Sequence, residues 1–165
     1  MIEDINHLSC DVVGDALTNA LNRLVVRDAH LLAEDVNERS VTHHLAIYLA
    51  DAFPGWNVDV EYNRNVGEIK RLHGLANAEV DADDTTGVTV YPDIIVHRRG
   101  THQNLLVVEV KRAGRGDHVW DHKKLQAFTS SRDQGGLGYR WGVHAVLGTD
   151  GTAEVRWFSE GSGIG

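Results

Sequence analysis

The chain has 165 residues, 42% of them hydrophobic, with one cysteine and a formal net charge of −8. That length suits one compact core burying roughly 70% of the unfolded chain's surface, and Cys10 alone excludes an internal disulfide or a cysteine-rich zinc site and points to a reducing cytoplasm. No apolar run reaches the roughly 18 residues of a membrane span, and the acidic N-terminus MIEDINHLSC is unlike a secretory signal, so no membrane association is expected.

In chain order, Val13, Leu17, Leu21, Leu24, Val25, Leu31 and Leu32 recur at helical spacing, which predicts one or two helices breaking near Asp28. A second helical pattern, ERSVTHHLAIYLADAF, carries Val41, Leu45, Tyr48, Leu49 and Ala52 at steps of three and four, with Asn37 as N-cap and Pro54-Gly55 as its stop. WNVDVEYN alternates as a half-buried strand, leaving Glu61 and Asn63 on its polar side. Residues 64–87 have no clear period and read as an insertion with room for a short helix. The carboxylates Glu79, Asp81, Asp83 and Asp84 there lack the Gly and final Glu of a calcium loop and read as a solvated tip. DIIVHR and NLLVVEVKR follow as strands around Gly100, then DHVWDHKKLQAFTS as a helix, and YRWGVHAVLG and TAEVRWFS as a closing hairpin before a frayed Gly-Ser tail.

Charge divides unevenly along the chain. Residues 1–90 hold 16 acidic and 6 basic side chains, net −10, whereas residues 91–165 hold 8 acidic and 10 basic, net +2. The positive stretch from Arg98 to Lys124 fits a phosphate-bearing partner, and the acidic half fits a basic protein or a second copy of the chain.

Two neighbouring apolar strands carry charges where burial should be deepest. Strand side chains alternate faces, so Asp93 shares a face with Ile95 and His97, and Glu109 shares one with Lys111. A hairpin symmetric about Thr101 puts Asp93 directly across from Glu109, a destabilising approach of two carboxylates unless a positive charge offsets it. Lys111 is one source, giving a purely internal ion pair. A hard divalent cation such as Mg²⁺ is the other, with the Val110 carbonyl between the two side chains as a further oxygen ligand. Buried ion pairs stabilise poorly relative to apolar packing, which favours the cation.

Pro92-Asp93, fifteen intervening residues, then Glu109-Val110-Lys111, set on adjacent strands between two helices, resembles the PD-(D/E)xK signature of the restriction-endonuclease-like nucleases. The resemblance implies an α/β fold with an αβββαβ core, a central mixed sheet flanked by helices. On that resemblance residues 1–35 would be an N-terminal helical extension, 36–148 the core and 149–165 a C-terminal strand and tail of one nuclease-like domain. It implies a Mg²⁺-dependent endonuclease, Mn²⁺ substituting, acting on nucleic acid with DNA as the expected substrate. Asp93 and Glu109 would hold the metal, with Glu38 of the first core helix completing the site and Lys111 positioning the attacking water or stabilising phosphate charge. Arg98, Arg99, Arg112 and Arg115 are candidate phosphate contacts. Lys123, Lys124 or Gln126 of the following helix is a further contributor that helical phase does not single out.

Rival chemistries have less behind them. Cys10 lacks a pKa-lowering setting, no serine sits in a GxSxG turn, and His118 with His122 has zinc-pair spacing without an HExxH frame. The alternative of another class is a binding module that keeps the nuclease fold without cleaving.

Overall fold

The computed structural model describes residues 8–34, 37–62, 64–65, 68–69, 71–72 and 88–165. Among these, an α/β architecture forms around an open, mixed, six-stranded sheet. Helix α1 (Cys10–Arg27) ends at Asp28, which also begins α2 (Ala29–Ala33), the break expected there. Helix α3 (Glu38–Ala52) starts at Asn37, whose side chain accepts from the Arg39 N–H, satisfying one of the donors a helix start leaves open.

Strand β1 (Asn57–Val60) follows, then the short strands β2 (Arg64–Asn65), β3 (Glu68–Ile69), β4 (Arg71–Leu72) and β5 (Val88–Thr89), paired as two separate ribbons. These backbone pairings lie in the stretch expected to be an insertion. The acidic run from Glu79 to Asp84 falls outside the described residues.

Strands β6 (Ile94–His97) and β7 (Asn104–Arg112), helix α4 (His118–Thr129), and strands β8 (Trp141–Leu147), β9 (Ala153–Ser159) and β10 (Ser162–Ile164) complete the chain. The sheet order is β1-β6-β7-β8-β9-β10, antiparallel throughout except that β7 and β8 run parallel, joined through α4. A parallel neighbour needs such a crossover, because a tight turn joins only antiparallel strands.

The frayed C-terminal tail expected from its composition is instead strand β10, paired to β9 with Ser162 opposite Ser159. The reversal is made at Glu160 and Gly161, both with positive φ (50° and 76°), a turn that composition alone does not reveal.

Strand β7 is central, and every side chain from Asn104 to Val110 is buried. Ile94, Val96, Val108, Val110, Val143 and Ala145 pack with α1 and α3, whereas Ile95, Val107, Leu125, Phe128 and Phe158 form a second core beneath α4. Gly142 lets α4 lie close to β8, since a Cβ there would meet Thr129 Cγ2 at 2.9 Å.

Candidate active site

The site opens where β6 begins. Ile94 pairs with Val108, Ile95 with Val107 and Val96 with Leu106, the register of a hairpin centred on Thr101, until a bulge between Val96 and His97 shifts His97 onto Asn104. Asp93 stands one step before the strand, where continuing that register reaches Glu109. Its Oδ2 accepts from the Val110 N–H at 2.8 Å, replacing the ladder bond that β6 is too short to provide. A strand residue turns its N–H and C=O to the same edge, so the Val110 carbonyl borders the same gap.

Glu109 lies on the α4 side and is 1% exposed. Its Oε2 accepts from Lys124 Nζ at 2.6 Å, and its Oε1 is buried with no hydrogen-bond partner among the described residues. Burial, then the Asp93 charge, raises the Glu109 pKa to about 8 against the opposing pull of Lys124. Burial likewise raises that of Asp93, with the Val110 N–H and the two lysines pulling the other way.

Lys111 reaches Asp121 Oδ2 at 3.2 Å and Glu38 Oε1 at 3.7 Å. Gly116 makes room for its stem, because a Cβ there would lie 3.0 Å from Lys111 Cδ. Burial disfavours the charge on Lys111, but Asp121, Glu38 and Asp93 outweigh it and the pKa is raised. Lys124 is also raised, burial being outweighed by Glu109 and Asp121. Glu38, in the first turn of α3, accepts from the Arg112 N–H at 3.3 Å, so its carboxylate is drawn to the end of β7.

Asp93, Glu109, Lys111, Val110 and Glu38 thus meet at one end of β6 and β7. The basic residues distribute differently. Arg112 is 5% exposed and its guanidinium donates to the carbonyls of Leu31 and Leu32. Arg99 pairs with Asp59, and the Arg98 guanidinium lies 4.8 Å over the Trp56 ring. Both arginines are past the far end of β6, about 16 Å or more of strand from Asp93. Arg115 and Lys123 are exposed. Of the helix residues that phase left unseparated, Lys124 points into the site while Lys123 and Gln126 face outward.

Sequence reasoning missed Asp121, 2% exposed, which bridges Lys111 and Lys124. The signal was present, since Asp121, Lys124, Leu125 and Phe128 form an i, i+3, i+4, i+7 stripe, but a buried aspartate is legible only once its two cations are placed. His144 of β8 also came unannounced. Its Nδ1 is 3.2 Å from His122 Nε2 and its ring stands edge-on to His118 at 5.1 Å. Burial, then His122, lowers the His144 pKa to about 4.

Glu61 was read as part of a polar strand face. It lines a cavity of about 210 Å³ with Glu38, Arg39, Thr42, Val60 and Asp93.

Among the described residues no three of His, Cys, Asp and Glu form a preformed metal cage. The donor set nevertheless fits a hard cation. Glu38, Asp93, Glu109 and Asp121 against Lys111 and Lys124 leave two negative charges when all are ionised, and Glu109 Oε1 has no donor among the described residues. A comparison of the chain with protein-family models, with curated proteins and with solved structures finds no match in any of the three.

Proposed function

We propose that this chain is a divalent-metal-dependent nuclease with a restriction-endonuclease-like core, hydrolysing phosphodiester bonds with DNA as its expected substrate. The order α3, β1, β6, β7, α4, β8 supports that fold reading, being the αβββαβ succession that the sequence resemblance implies. The observation that supports the activity is the convergence of Asp93 on the Val110 N–H beside Glu109, whose Oε1 has no donor among the described residues.

Asp93, Glu109, the Val110 carbonyl and Glu38 would hold Mg²⁺ or Mn²⁺. The cation would supply a bound water of lowered pKa and neutralise charge on the phosphate. Lys111, clamped between Asp121 and Glu38 and with a raised pKa, keeps its proton near neutral pH. Its part is therefore a fixed positive charge aimed at the developing phosphate oxyanion rather than that of a base. Lys124 holds Glu109 in place and offsets part of the carboxylate charge.

One observation favours a non-catalytic module. Lys124 lies 2.6 Å from Glu109, so an ammonium already serves one of the carboxylates a metal would use. The two readings separate on nicking of supercoiled plasmid and cleavage of single-stranded DNA with Mg²⁺ or Mn²⁺, wild type beside Lys111→Ala. The enzyme reading expects metal-dependent products that the variant loses by about 100-fold or more. Binding without cleavage under both metals would establish the module instead.

A further inference from the structure

The arginines that the sequence offered for phosphate contact are engaged elsewhere in two cases. Arg112 is spent on the carbonyls of Leu31 and Leu32 in α2, and Arg99 on Asp59. A different arginine stands at the cleft. Arg39 follows Glu38 in the first turn of α3 and lines the cavity of about 210 Å³ onto which Asp93 opens. It is the one cation among the described residues lining that cavity, facing the carboxylates of Glu38, Glu61 and Asp93. Its side chain is 80% exposed, yet its Nε is held 3.2 Å from Glu61 Oε1.

Glu61 is built into this place at a cost. Its φ is +50°, a left-handed conformation that glycine or asparagine adopts more easily, and its N–H donates to the Asp93 carbonyl at 3.1 Å. The turn after β1 therefore ties Glu61 to the backbone of Asp93 while its carboxylate reaches Arg39. An arginine fork matches a phosphate with two parallel donors, and a partner that fixes its direction reduces the rotamer freedom lost on binding.

We propose that Arg39 contacts a backbone phosphate of the DNA strand entering the cleft and that Glu61 is its positioning residue. This rests on the nuclease reading and adds the substrate contact which that reading leaves open. A phosphate approaching Asp93, Glu38 and Glu61 meets repulsion, and Arg39, the cation lining that cavity among the described residues, offsets it.

The test is binding of a short fluorescent DNA duplex followed by anisotropy over a salt series, with cleavage in Mn²⁺ measured in parallel. Arg39→Ala is expected to weaken binding and to make the slope of log K against log salt shallower by about 1, with Arg39→Lys recovering part of the loss. Glu61→Gln separates positioning from plain charge. A carboxylate that only repels DNA would tighten binding when removed, whereas a positioning residue leaves binding unchanged or weaker. Glu61→Gly, which relaxes the turn, is expected to melt no lower than wild type and to bind more weakly, so that loss of fold is excluded. Unchanged affinity and salt slope in Arg39→Ala, or tighter binding in Glu61→Gln, overturns the proposal even if the wild type cleaves. A wild type that neither binds nor cleaves DNA with either metal overturns this inference together with the nuclease reading.

Discussion

Glu109 is the residue on which the proposed chemistry turns, because it is buried beside Asp93 and, among the described residues, has a hydrogen-bond donor for one oxygen alone. Its pKa of about 8 in the folded protein exceeds the value near 4.5 of an exposed glutamate. Folding therefore takes up a proton between those values, and the linkage sign makes metal-free stability fall as pH rises from about 4.5 to about 8. Chemical denaturation at several pH values is expected to show that decline, and Glu109→Gln, which does not titrate, should flatten it. Under the proposed function, cation binding is expected to run the other way, tightening up to about pH 8 because the carboxylate must first lose its proton, which titrating Mn²⁺ at several pH values checks. Lys124 is the complementary case. Lys124→Met strands Glu109 and Asp121 without their shared ammonium, and urea unfolding is expected to register a loss of about 3 kcal/mol. Added Mn²⁺ should recover part of that loss, since a cation then replaces the missing charge.

At the scale of elements, the hairpin of β6 and β7 carries the site because its register leaves Asp93 just beyond the last paired residue. The register and the face each charge takes were legible in the sequence, since alternation fixes them and a one-residue slip would turn the apolar set outward, but Asp93 reads there as the first residue of the strand and lies one step before it. The bulge at His97 was not legible, nor was the place of Lys124, because an apolar stripe through Leu125 and Phe128 serves either phase of α4. Arg112 shows the same limit. Beside Lys111 it reads as a phosphate ligand, whereas in the fold it ties β7 to the carbonyls of Leu31 and Leu32. Arg112→Ala is accordingly expected to lower the thermal midpoint, with a stability loss of about 2 kcal/mol from unpaired carbonyls and lost packing. Calorimetric melting checks this. The contact of α4 with β8 gives a second test at this scale. Gly142→Ala forces a methyl to 2.9 Å from Thr129 Cγ2 and 3.3 Å from Leu125 and Phe158, and overpacking of that kind costs about 1–3 kcal/mol in denaturant.

Across the whole molecule, the helices at the two faces do different work. α1 and α3 bury the larger apolar core and deliver Glu38 from the side, whereas α4 covers the other face and delivers Asp121 and Lys124. No helix among the described residues is long and apolar enough to cross a membrane. Helices α1, α3 and α4 and strands β1, β6, β7, β8 and β9 were readable from periodicity and turn residues, whereas the short strands β2 to β5 and the closing β10 were not. The wiring of the charges was not, because Asp121, His144, Glu61 and Arg39 gain their meaning only from partners distant in the chain. The proposed function rests on Asp93 and Glu109 sharing a divalent cation at the mouth of the β6–β7 hairpin. Crystals soaked in Mn²⁺ near pH 8 and measured for anomalous scattering test it most directly. The account predicts a peak within bonding distance of carboxylate oxygens from both residues, lost in Asp93→Asn. Clear density for both side chains with no peak between them would contradict it.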